Sequence, residues 1–144
     1  MAFFTEQQEA QIVAAIQAAE KQTSGEIRVH VEGKTGSKSS YDRAVEVFEN
    51  LNMHQTEARN GILFYVATKD HAFSLIGDLG IHEKVGGSFW EEVRDHVIEE
   101  FKKGDFTQGL CRGIAEAGEQ LKAHFPYQSD DVNELPDDIS KGEL

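Results

Sequence analysis

Six consecutive apolar residues, Ile62-Leu63-Phe64-Tyr65-Val66-Ala67, form the most continuously apolar run in the chain and constrain its fold more than any other feature. Entered from a turn at Arg59-Asn60-Gly61, such a run suits a central strand covered on both faces, since a strand with one face in water alternates instead. Thr68-Lys69-Asp70 is short enough for a hairpin connection, so His71 to Ile76 are expected to return antiparallel beside it. Upstream, Ile27, Val29 and Val31 alternate with Arg28, His30 and Glu32, the pattern of a half-buried strand.

Helical periodicity fills the remaining segments. Thr5 and Gln8 have capping-box spacing, followed by Ile12, Val13, Ile16 and Ala19 on one face. A second helix is expected over Tyr41 to Leu51, carrying Ala44, Phe48 and Leu51. A third opens at a Ser88/Glu91 capping box and carries Trp90, Val93, Val97 and Phe101 until Gly104 stops it. The last runs from about Thr107 to His124, with Leu110, Ile114, Ala117 and Leu121 on its apolar face. Helix, strand, helix, strand, strand, helix, helix is an α/β order. At 144 residues and 39% hydrophobic content, one domain is expected over residues 1–127, followed by an acidic, flexible tail over 128–144.

Charge narrows the choice of partner. The formal net charge of −12 disfavours nucleic acid and anionic membrane surfaces and favours cations or basic partners. Cys111 is the only cysteine, which excludes an internal disulfide and a cysteine zinc cage. Met1-Ala2-Phe3-Phe4-Thr5-Glu6 lacks the form of a secretory signal, and no apolar run approaches the roughly 18 residues of a membrane span. A monomeric, soluble, cytoplasmic protein is the expectation.

Strand directions then sort the turns. If the first two strands are parallel and the third antiparallel, then Gly25-Glu26, Asn60-Gly61 and Gly77-Asp78 fall on one rim of the sheet. Glycines let carbonyl groups approach a ligand, and Glu26, Asp78 and the Asn60 side chain add hard oxygens. Ca²⁺ takes about six to eight such oxygens in irregular geometry, so the expected site is a divalent cation, Ca²⁺ first, at Glu26, Asn60 and Asp78, with Gly25, Gly61 and Gly80 shaping it. His82 or Glu83 lies just beyond. Arg59 shares the rim, and pairing with Glu26 or Asp78 would reduce the need for a metal.

Other residues carry weaker signals. Six histidines include no HExxH pair, and Cys111 suits a buried structural thiol. Cys111-Arg112 lacks a cysteine-phosphatase loop, so phosphate hydrolysis would require a metal at Glu26 and Asp78 with Arg59 steadying the phosphate. From Ser129 to Leu144 six acids face one lysine. That tail fails the calcium-loop template, but Asp130, Asp131, Asp137 and Asp138 offer a second cation site if Val132 and Leu135 anchor it. The alternative from another class is a module for an unidentified protein partner, with an ion only ordering loops.

Thr23-Ser24-Gly25-Glu26-Ile27-Arg28-Val29, then Arg59-Asn60-Gly61 before the apolar strand, then Ile76-Gly77-Asp78-Leu79-Gly80-Ile81, resemble in order the signature of the TPM domain family. Phe89-Trp90 and Gly104 extend the likeness, which covers roughly Phe4 to Phe125. The resemblance implies a Rossmann-like, three-layer α/β/α sandwich with a mixed central sheet, and divalent cation binding. It also brings the acid phosphatase activity attributed to plant members. Many members carry a leader and a membrane anchor that this sequence is expected to lack, so the roles of anchored relatives are not carried over.

Overall fold

The computed structural model describes residues 3–126 and 139–142, the side chains of 87–89 excepted. Helix α1 (Glu6–Glu20) is opened by the expected capping box. The Gln8 amide donates to the Thr5 hydroxyl at 3.1 Å, and the Thr5 amide donates to the Gln8 side chain at 3.0 Å. Strand β1 (Glu26–Glu32) follows, then α2 (Ser40–Asn50), capped by Ser39, and a 3-10 turn at Met53–Gln55. Strand β2 (Gly61–Ala67) is the apolar run, and the hairpin leads into β3 (Ala72–Gly77). Three helices complete the main body: α3 (Leu79–Val85), α4 (Gly87–Lys102) and α5 (Phe106–His124).

The sheet order is β3-β2-β1-β4, where β4 is Ser140–Lys141. β1 and β2 are parallel, with Glu26 opposite Gly61 and Glu32 opposite Ala67, and β3 is antiparallel to β2. The parallel crossover and the hairpin are therefore as expected. Ile27, Val29, Val31, Ile62, Phe64 and Val66 join the apolar faces of α1, α4 and α5 in the larger core. Leu63, Tyr65, Ala67 and Ile76 pack with Ala44, Val47 and Phe48 of α2 and with Met53 on the other side. This is the α/β/α sandwich with a mixed sheet.

Several sequence expectations need correction. All seven residues of β1 are buried, so Arg28, His30 and Glu32 do not form a solvated face. β1 is an inner strand between β2 and β4, and its polar side chains lie inside with its apolar ones. The Asp78-Leu79-Gly80 turn continues into α3, because the Asp78 carboxylate accepts from the Leu79 amide at 2.8 Å and caps it. α4 starts at Gly87 behind Gly86, whose φ of 79° places it in the left-handed region, so Ser88 lies inside the helix. The segment assigned to a flexible tail supplies β4, which pairs with His30 and Val31 of β1, and it buries Ile139 in the larger core. Asp130, Asp131, Val132, Leu135, Asp137 and Asp138 lie outside the described residues.

Close packing of α5 on the sheet depends on small residues. A Cβ added at Gly113 would sit 2.6 Å from Val97 Cγ2 and 2.9 Å from Phe64 Cε2, both buried in the core. Gly113→Val is expected to cost about 2 kcal/mol through overpacking, read as a lower urea midpoint at unchanged m-value.

Candidate functional site

The predicted rim exists. Backbone bonds stitch its turns together: the Glu26 amide donates to the Asn60 carbonyl at 3.2 Å, the Asp78 amide to Gly61 at 3.0 Å, and the Gly80 amide to Arg59 at 2.9 Å. Glu26, Asn60 and Asp78 are drawn inside, with relative exposures of 2%, 2% and 5%. Arg59 adopts a φ of 52°, a conformation uncommon outside glycine, asparagine and aspartate. It lays its guanidinium along Asp78, Nε to Oδ2 at 2.7 Å and Nη2 to Oδ1 at 2.8 Å. Such a two-point pair is geometrically specific, and Asp78 holds the Arg59 guanidinium above its ordinary range.

Glycines here act through close approach. A Cβ on Gly80 would lie 2.3 Å from the Ala58 carbonyl oxygen and 2.8 Å from that of Arg59. Gly80 therefore lets α3 start against the Arg59 turn. Gly25 and Gly77 likewise leave room for Leu121 and Trp90. His82 and Glu83 sit exposed on α3.

Tested against Ca²⁺, the donor set is of the right chemistry but partly engaged. The carbonyls of Arg59, Asn60 and Gly61 already accept backbone bonds, and both Asp78 oxygens are held by Arg59. Asn60 keeps a buried side-chain Nδ2 with no hydrogen bond. Among the described residues, no three His, Cys, Asp or Glu side chains gather as a metal set. A cation here would have to take the Asp78 oxygens over from Arg59.

The opposite rim holds a polar cluster that sequence reasoning missed. Glu32, at the end of β1, accepts from Arg43 Nε at 2.8 Å and Nη2 at 2.9 Å. The Tyr65 hydroxyl donates to the same carboxylate, and His30 Nε2 lies 3.0 Å from its other oxygen. His30 Nδ1 reaches the Ser140 hydroxyl of β4 at 2.9 Å, which makes the C-terminal strand part of the cluster. Beyond it, Lys34, Lys38 and Glu46 line an open polar cavity of about 370 Å³. Arg43 and Lys38 both pair with Glu46, so the charges near the cavity mouth largely satisfy one another.

Burial by itself would raise the Glu32 carboxyl, but the bonds from Arg43, Tyr65 and His30 outweigh it and bring the group down to about 2. Burial and Glu32 push the Tyr65 hydroxyl up, and burial lowers His30. Cys111 is half-buried against the core, and burial raises its thiol.

A four-stranded mixed sheet between α2 and the α1, α4, α5 layer, with turns gathered at the start of β1 and β2, defines an α/β/α sandwich domain whose candidate site lies on one rim. The family model of the TPM domain matches residues 1–120, and the chain belongs to that family. The solved NMR structure of BA42 protein from the psychrophilic bacterium Bizionia argentinensis is similar at a TM-score of 0.92 and 48% identity, covering 98% of this chain and 97% of that one. The N-terminal domain of a P. gingivalis protein has a TM-score of 0.71 at 16% identity, covering 88% of this chain and 83% of its own. The N-terminal domain of the cg2496 protein from Corynebacterium glutamicum has a TM-score of 0.60 at 12% identity, covering 99% and 82%. These two likenesses show the fold alone. No curated protein matches. No helix among the described residues is long and apolar enough to cross a membrane.

Glu32 has a lower pKa folded than its ordinary 4.5, so its contribution to stability is full above that value and is lost as pH falls through about 2. Glu32→Gln should therefore cost about 3 kcal/mol at neutral pH and flatten the acid side of the stability curve. Urea midpoints of both proteins between pH 7 and pH 2 check this; parallel curves would remove the assignment.

Proposed function

We propose that this domain binds a divalent cation, Ca²⁺ in preference to Mg²⁺, at the Glu26, Asn60 and Asp78 rim, and that the ion has a structural or regulatory role. One observation carries the reading. The Asp78 carboxylate is 4% exposed as a side chain, yet its counter-charge is Arg59, a side chain 43% exposed and held at the surface. A buried carboxylate needs a cation, and a long exposed arginine is a replaceable one. Glu26 and the Asn60 amide would complete the protein's share of hard oxygens. Binding would then exchange Arg59 for the ion on Asp78 and stiffen the turns joined there.

A second reading draws on Leu79, which follows Asp78 and is 60% exposed at the start of α3. On that reading the ion orders the rim for an unidentified protein partner that covers Leu79. Metal-assisted phosphate hydrolysis at the same rim would need Arg59, released from Asp78 by the ion, to turn to the phosphate.

Titrating Ca²⁺ into chelator-treated protein while following amide shifts is expected to move Gly25, Gly61 and Asp78 first and saturably. Arg59→Gln should tighten binding by roughly tenfold, since the internal competitor is gone, and Asp78→Asn should abolish it. No saturable shift at millimolar Ca²⁺ in either the parent protein or Arg59→Gln would overturn the proposal.

A further inference from the structure

At the end of the sheet opposite the Asp78 rim, the hairpin between β2 and β3 and the junction of α4 with α5 line a cavity of about 300 Å³. Its walls are apolar. Phe73, Phe101 and Phe106 line it as half-buried rings, with Phe73 and Phe101 edge to face at 5.6 Å and Phe101 and Phe106 at 4.9 Å, and Ile98 of α4 adds an aliphatic side. Rings left half-open around a concavity are surface that folding did not cover. An apolar concavity with a few polar groups at its mouth is the usual form of a small-molecule site.

The mouth sets the class of ligand. His71 and Lys102 are exposed on the lining, and among the described residues the side chain of neither makes a hydrogen bond or ion pair. Arg43 beside Glu32 and Arg59 beside Asp78 are, in contrast, paired with those acids. Lys102 offers donors only, and a chain of net charge −12 that leaves a cation unpaired beside an apolar cavity complements an anionic head on an apolar body. At about 30 Å³ for each water-sized volume, the cavity accommodates an alkyl chain of roughly ten heavy atoms.

We propose that this cavity binds a medium-chain carboxylic acid, its alkyl chain among Phe73, Ile98, Phe101 and Phe106 and its carboxylate at Lys102 and His71. The site is independent of the cation rim. Its occupant is recognised by two features at once, chain length through the rings and negative charge through the lysine. Each methylene added within the cavity should tighten binding by roughly three- to fourfold, until the chain outgrows it.

Decanoate, kept below its micelle concentration, is titrated into the full chain and followed by amide shifts. Saturable changes confined to Thr68 to Phe73 and Ile98 to Phe106 are expected, with hexanoate weaker by more than tenfold. Lys102→Glu should weaken decanoate at least fivefold and leave decanol unaffected. Ile98→Trp should fill the cavity and remove both ligands while the urea midpoint is retained; should that variant fold poorly, the exposed Lys102→Glu carries the decision. Absence of saturable shifts at these residues with millimolar decanoate overturns the proposal. Equal binding of decanol and decanoate with no effect of Lys102→Glu overturns it as well.

Discussion

The parallel register of β1 on β2 fixes where the chemistry of this domain lies. It sets Glu26 opposite Gly61 at one end and Glu32 opposite Ala67 at the other, so the turns entering both strands share a rim and the crossover loop leaves from the opposite one. Every residue of β1, an inner strand between β2 and β4, is buried. Its charged side chains must be satisfied internally. For Glu32, Arg43 on the crossover helix and Tyr65 on the neighbouring strand supply it.

Two buried carboxylates, each held by an arginine, therefore sit at opposite ends of the sheet, and they differ in how firmly they are closed. Glu32 has Arg43, Tyr65 and His30 around it, and Arg43 is further anchored by Glu46. Three residues thus hold the Glu32 carboxylate at once. Asp78 has its helix-capping bond and a single arginine at the surface. The first arrangement resembles a brace and the second a latch. That contrast is why the cation proposal attaches to Asp78, whereas Glu32 is read as a stabilising element tied through His30 to the C-terminal strand.

Much of the scaffold was legible in the residues. The apolar run of β2, the hairpin after it, the Thr5 capping box and the periodic faces of α1, α4 and α5 all appear where their patterns place them. The convergence of Gly25, Gly61 and Gly77 on one rim also followed from strand direction alone. What misled was β1, whose alternation of apolar and polar residues has the same period whether the polar face meets water or a buried network. α3 escaped because a glycine-bearing turn and the first turn of a short helix share the same residues, and only Asp78 acting as a cap tells them apart.

By itself, the sequence determined local matters: which segments are helix or strand, in what order, and through them the class of fold and the side of the sheet on which each turn lies. These depend on contacts between near neighbours and on periodicity, which a linear pattern records. Only the tertiary structure decided the pairings. It joined Arg59 to Asp78 across 19 residues, His30 to Ser140 across 110, and the rings of Phe73, Phe101 and Phe106 around one cavity. Such partners are set by packing in three dimensions. No residue type carries the address of its distant neighbour, so a buried carboxylate matched to an arginine and a solvated one have the same appearance in the chain.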